Sequence, residues 1–320
     1  MLNKLLPLLI GFCLDLLIGD PHEIPHPVVL IGKLISWEER RLRDIFPKTA
    51  AGERTAGLIL WIFTAAISTV LPWLILQVCG RISLILRIAV ESIMVWQILA
   101  VRSLKDESMK VYRELVRGDL QKAREKLSMI VGRDTEILDE PGIIQAAVET
   151  IAENTSDGVI APLFFMALGG APAGFFYKAV NTMDSMLGYI DAPYTNFGLV
   201  PARADDVCNF IPSRLAAILM LAAGAFCGLD VPNGWKIFRR DRYKHASPNS
   251  AQTEAVCAGL LRVRLAGNAR YHGILHEKPY IGDDLREIRT ADIPLCCRLL
   301  YVTSFLMFGI TCIIRILVLR

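Results

Sequence analysis

Six stretches of the chain approach the length and apolarity of a membrane helix: residues 3–19, 57–79, 82–101, 158–177, 211–229 and 293–319. A helix needs about 20 apolar residues to cross a bilayer core. The second and the last meet that requirement most clearly. The stretch 82–101 carries Arg87 and Glu91 at i,i+4, so the two can pair on one face. The stretch 158–177 contains Gly169-Gly170-Ala171-Pro172-Ala173-Gly174, a run that breaks a helix. A broken helix at membrane depth persists only where protein buries it or where it lines a polar cavity. The pattern predicts an all-α integral membrane protein, a single polytopic domain over 1–320, with about 4–6 transmembrane or re-entrant helices.

Three polar stretches separate these segments. Residues 20–56 hold six Lys/Arg, 102–157 nine, and 230–292 eleven. The positive-inside rule places all three, as helical loops, on the cytoplasmic side of the cell membrane. Within 102–126, Leu104, Met109, Val111, Leu115, Val116 and Leu120 recur at helical spacing. A second polar helix is expected over about 140–153, after Asp139 and with Pro141 in its first turn. Residues 178–210 have only Lys178 and Arg203 as bases, so charge does not fix their side. A break in 158–177 would return them to the cytoplasmic face, and the active site with them.

Composition agrees with the pattern. The chain is 53 % hydrophobic, with a mean hydropathy of +0.41. A net charge of +3 gives no case for nucleic acid. Eight Cys without a C-x-x-C read as buried small hydrophobes rather than a disulfide scaffold. Lys4 alone precedes the first apolar run, and no small-residue cleavage site follows, so this segment reads as retained.

The chemistry concentrates between Glu149 and Arg214, where acids, amides and bases adjoin apolar runs. Charges there are costly unless paired or bound. His22-Glu23-Ile24-Pro25-His26 spells a zinc-protease signature, but Pro21, Pro25 and Pro27 deny it the helix that signature needs. Gly19-Asp20-Pro21 reads instead as a turn presenting Asp20 and His26. Glu149, Glu153 and Asp157 at i, i+4 and i+8 share a face of a continuous helix, with Asn154 and Ser156 beside them. That is either a solvated helix end or a cation or phosphate site.

Lys178, Asn181 and Asp184 give the next helix face an ammonium, an amide and a carboxylate. Magnesium favours one or two carboxylates plus phosphates. Asp205 and Asp206 precede a further helix, where they either cap its start or bind. Asn209 and Ser213 continue from Asp205 at i+4 steps. Arg214 lies in the apolar segment and calls for an anion: Asp205, Asp206 or a phosphate. Ser247-Pro248-Asn249-Ser250, Glu254, Arg262, Arg264 and Asn268 close the set, and turn chemistry alone would explain the first four. No G-x-x-x-x-G-K-[ST] loop occurs.

These residues describe a membrane enzyme or transporter with an acid–amide–base site suited to magnesium and phosphate. A polyprenyl transferase would show N-D-x-x-D, and a CDP-alcohol phosphotransferase would show an Arg after D-G-x-x-A. Both are absent, as is any transporter-like repeat. The ordered motifs LDLLIGDP, HPVVLIGKLI, GRDT, AAVETIAENTSDGVIAPLFF, YKAVNTMDSMLGY, ARADDVCNFIPSRL and SPNS, with E-A-x-x-A-G-x-L-x-V-R-L-x-G trailing, span Asp15 to Asn268. The chain resembles the CobD/CbiB family of cobalamin-biosynthesis membrane proteins, adenosylcobinamide-phosphate synthases. It departs at Ala251-Gln252-Thr253, where the family usually reads G-W-P.

The resemblance implies amide-bond formation between adenosylcobyric acid, a corrinoid, and aminopropanol phosphate or ethanolamine phosphate, driven by ATP and Mg2+. Glu153, His26 and Lys178 are then the candidate catalytic groups. Asn154, Asp157, Asn181, Arg203, Asn209, Arg214, Asn249 and Arg264 are the candidate substrate and phosphate contacts. Asp184, Asp205 and Asp206 are the candidate metal ligands. The alternatives are a non-catalytic corrinoid-binding membrane subunit and a magnesium-dependent membrane transferase. The lipid bilayer, other cobalamin-pathway enzymes and a second copy of the chain are the expected macroscopic partners.

Overall fold

The computed structural model describes residues 2–21, 24–189, 193–271 and 273–318. His22 and Glu23 of the zinc-like signature lie outside the described residues. In chain order the helices are α1 (Leu2–Ile18), α2 (Pro27–Ile45), α3 (Ala50–Ile82), α4 (Leu84–Ile98), α5 (Val101–Val116), α6 (Leu120–Ser128) and α7 (Glu140–Thr155). A π-turn (Ser156–Ile160) follows, then α8 (Ala161–Leu187), α9 (Leu199–Phe226), α10 (Val231–Asp241) and α11 (Ser250–Leu261). Four short strands come next: β1 (Leu265–Ala266), β2 (Ala269–Tyr271), β3 (Ile274–His276) and β4 (Tyr280–Ile281). The last helix is α12 (Asp292–Val318). The helices are capped as their sequences direct: Thr49, Ser83, Asp119, Asp139 and Asp230 each accept a first-turn N–H with a side-chain oxygen. Among the described residues, five helical stretches are long and apolar enough to cross a membrane: 50–82, 84–116, 140–187, 199–226 and 292–317.

The chain forms two compact units, residues 1–100, 161–209 and 310–320 in one, and 101–160 and 210–309 in the other. In the first, α2 runs back along α3, and buried Glu38 accepts the Thr64 hydroxyl at 2.7 Å. One side of α3 is uncovered: Phe63, Val70, Trp73 and Val78 each leave about half their surface exposed, which suits lipid.

The same unit contains the break expected in 158–177, and α8 is a hairpin rather than one rod. Gly170 adopts φ 69°, ψ −162°, a region essentially reserved for glycine. The Phe165 and Tyr177 rings stack at 5.1 Å, whereas twelve residues of straight helix would separate them by about 18 Å. At the tip, the Ala171 N–H left by the break faces the Glu91 carboxylate of α4. A methyl group on Gly170 would lie 3.1 Å from Glu91 Oε1. Arg87 stands 4.0 Å from Glu91, and Arg315 of α12 lies within electrostatic range.

In the second unit, α5 and α6 turn at Gly118 and pack with α7, which also meets α11. Helices α10 and α11 approach until Gly259 faces the Gly234 Cα, with no room for a side chain. The segment 265–281 forms two antiparallel ladders, β1 with β4 and β2 with β3, small departures from an all-helical reading. Asp241 at the end of α10 accepts from Arg240, Lys244 and the Gly282 N–H, joining that helix to the turn after β4.

Candidate functional site

Two polar sets emerge, one in each unit. In the first, Gly19 turns the chain out of α1 with a positive φ. His26 then caps α2, its Nδ1 accepting the Val28 N–H at 3.3 Å. That bond leaves the proton of the neutral ring on Nε2, which stands 3.7 Å from Asp20 Oδ1. Burial pulls the His26 pKa below its usual value; Asp20 opposes that pull and the Lys178 ammonium of α8 reinforces it. Two of the three candidate catalytic groups, His26 and Lys178, are therefore within electrostatic range of each other.

One turn along α8, a chain of hydrogen bonds reaches α9. Buried Tyr177 donates to Asn209 Oδ1 at 2.9 Å, Asn209 Nδ2 donates to Asp205 Oδ2 at 3.0 Å, and Asn181 Nδ2 donates to Asp205 Oδ1 at 3.4 Å. These bonds fix the Asp205 carboxylate. Asp205 and Asp206 lie well inside α9 rather than ahead of it, so they do not cap its start. The Asp184 carboxylate folds over Gly188, whose missing side chain leaves it room. Arg203 is largely exposed and pairs with Asp206 at 3.7 Å.

In the second unit, Glu149 and Glu153 share a face of α7. The expected continuation to Asp157 fails, because the π-turn at Ser156–Ile160 interrupts the α-helical register. Glu149 is saturated: Arg133, Gln145 and the Ala266 N–H all donate to it. Glu153 is half-buried and makes no ion pair among the described residues. It faces His245 and Glu254. His245 Nδ1 accepts the Ser247 N–H at 3.1 Å, and burial lowers the pKa of this ring. Burial pushes the Glu254 carboxyl well above the usual range, with Glu153 and Glu149 adding to the shift.

Among the described residues Arg214 pairs with no acid. It stacks 3.7 Å from the Phe210 ring and donates to the Phe210 carbonyl, to Ser213, to Asn249 Oδ1 and to the Pro248 carbonyl. Its donors are thus spent on holding the S-P-N-S turn, and Asn249 is held in return. Asn154 donates to its own helix at Thr150, and Arg264 lies over Tyr280 and 3.4 Å from Asp284.

Glu254, His245 and Lys278 were not singled out for a role by local pattern. The available signal was Gln252-Thr253-Glu254, a polar run opening the otherwise apolar α11. All eight cysteines are free, but only Cys257, Cys296 and Cys297 are buried and Cys13 is exposed. Among the described residues no group of three or more His, Cys, Asp or Glu gathers closely enough to hold a metal ion. Magnesium carried by a nucleotide needs only one or two protein carboxylates. The oriented Asp205 and the neighbouring acids fit that kind of ion rather than a resident one.

A family profile described as CobD/Cbib protein matches residues 8–300. The cobalamin biosynthesis protein CobD of Clostridium perfringens is 45 % identical over 311 residues, covering 97 % of this chain and 98 % of the relative. CobD of Geobacter metallireducens is 45 % identical over 304 residues, covering 95 % and 92 %. The cobalamin biosynthesis protein CbiB of Salmonella typhimurium is 45 % identical over 300 residues, covering 93 % of each chain. No solved structure matches.

Proposed function

Because this chain belongs to the CobD/CbiB family, we propose that it is a membrane-embedded amide ligase of cobalamin biosynthesis. It joins the carboxylate of adenosylcobyric acid to the amine of aminopropanol phosphate or ethanolamine phosphate, at the expense of ATP. A carboxylate is a poor acylating agent. Transfer of the terminal phosphoryl group of ATP to it gives an acyl phosphate and ADP. The amine then attacks the carbonyl carbon, inorganic phosphate leaves, and the nitrogen loses a proton.

Glu153 accepts that proton, and the observation that carries this role is its half-buried carboxylate, without an ion pair among the described residues. Of the groups in the first unit, Lys178 is offered to phosphate charge, and His26, neutral and aligned by its cap, is the alternative proton acceptor. Magnesium bound to the nucleotide neutralises phosphate charge, with Asp184, Asp205 and Asp206 as the carboxylates offered to it. The Lys/Arg-rich polar stretches support a cytoplasmic side for this chemistry, where ATP is.

The test is a reconstitution. Purified protein in detergent is given adenosylcobyric acid, aminopropanol phosphate, ATP and Mg2+, and the amide is sought by mass spectrometry. Product formation with ADP release is expected. Product that forms only after a second protein is added would make this chain a corrinoid-binding subunit instead.

A further inference from the structure

The acid cluster of the second unit holds more than a proton acceptor. Glu254 is 6 % exposed, yet its carboxyl has no hydrogen-bond partner among the described residues. The adjacent Thr253 hydroxyl is 1 % exposed and also unpartnered. Buried polar groups left in this way call for a partner. Glu254 is faced by Glu149 and Glu153 from α7, by Arg133 from the loop before it, and by Lys278 from the segment between β3 and β4. His245, ahead of α11, faces the same groups.

Glu149 is already satisfied by three donors, Arg133 among them. Among the described residues two carboxyls of the cluster therefore remain without a donor, Glu153 and Glu254. One ammonium of the cluster has no carboxylate among the described residues: Lys278 donates to the Tyr271 hydroxyl, at 2.9 Å, and lies 4.8 Å from that ring. Two open carboxyls select a cation bearing N–H groups, and an unpaired ammonium selects an anion. A compact ligand with both ends would meet both demands.

We propose that this cluster is the binding site of the amino-alcohol phosphate, with its ammonium on Glu153 and Glu254 and its phosphate on Lys278. The assignment rests on the ligase reading for the identity of the ligand. Binding brings the amine to its proton acceptor and gives the buried Glu254 a counter-charge. Side chains on a helix lean toward its N-terminus, so Glu254 lies over the first turn of α11, beside the S-P-N-S turn that Arg214 holds in shape.

Calorimetry on the full-length protein in detergent, without ATP or corrinoid, tests the site by itself. The probes are O-phosphoethanolamine, ethanolamine and inorganic phosphate. O-phosphoethanolamine is expected to bind at least about tenfold more tightly than either fragment, and K278A and E254Q are each expected to weaken it by about tenfold or more. K278R keeps the charge and should restore binding to within about threefold of wild type. Binding no better than that of inorganic phosphate, wild-type affinity in K278A and E254Q, or no restoration by K278R would overturn the proposal. If O-phosphoethanolamine binds as stated and the reconstitution yields no amide, the ligase reading fails while the site stands.

Discussion

In Glu254, burial and two neighbouring carboxylates favour the neutral acid, and this has a consequence for stability. A carboxyl whose folded-state pKa is raised stabilises the fold below its unfolded value, and that contribution is lost as pH rises through the folded value. E254Q is therefore expected to raise Tm at pH 8 and to leave it nearly unchanged at pH 4, as read by thermal melts in detergent. Asp241 has the opposite sign. Burial pushes it up, but Arg240, Lys244 and the Gly282 N–H outweigh burial and hold it at about 2. Its contribution is complete above the unfolded value and fades as pH falls toward 2. D241N should cost about 2 kcal/mol at pH 7, less than a fully buried pair, because Arg240 and Lys244 stay partly in water. Urea titrations at pH 7 and pH 3 should show that cost shrink in acid. Glu153, Lys178 and Asp205 were visible in the sequence because each sits in a helical repeat of polar positions. Glu254 stood out only as a member of the last polar stretch, and its neighbours His245 and Lys278 were not marked, because α7, α11 and the β3–β4 segment bring them together across long stretches of chain that no local period records.

At the scale of elements, the hairpin of α8 turns on one residue. Alanine at Gly170 would have to occupy a backbone region that costs about 1–3 kcal/mol for residues other than glycine, and its methyl would press on Glu91. G170A should lower the yield of monodisperse protein in size-exclusion chromatography. E91Q, which still offers an oxygen to the Ala171 N–H, should retain more of that yield than E91A. The sequence announced the break through G-G-A-P-A-G, but the sense of the turn required the ring stack of Phe165 on Tyr177. The π-turn was hidden because nothing in S-D-G-V-I departs from helical polarity. The small ladders of 265–281 were hidden because strands of two or three residues are too short to show alternation.

For the molecule as a whole, the reversal bears on sidedness. The end of the loop after α8 packs against the α2–α3 turn: Arg43 donates to the Pro193 carbonyl and Arg54 to Asn196, each at 3.2 Å. Helix α3, about 50 Å long, carries Ser83 just past its opposite end. In a protein with its native cysteines replaced, an impermeant thiol reagent applied to intact cells should label S83C and spare K48C and T195C. Labelling of T195C from outside would place that loop beyond the membrane. Five of the six apolar stretches read from the sequence fall on helices long and apolar enough to span, the first being too short, whereas the division into two units was not legible, since each unit is assembled from distant stretches of chain. The hairpin tip also sets an order of manufacture. Glu91 leaves the ribosome long before Gly170, so the acceptor for the Ala171 N–H is already in the bilayer when the tip arrives. Arg315 is made long after both, so Glu91 and Arg87 stand without it while the intervening chain is synthesised. A nascent chain stopped short of Arg315 would carry a seated but incompletely neutralised hairpin, so it is the arrival of α12 that completes the charge balance at the tip.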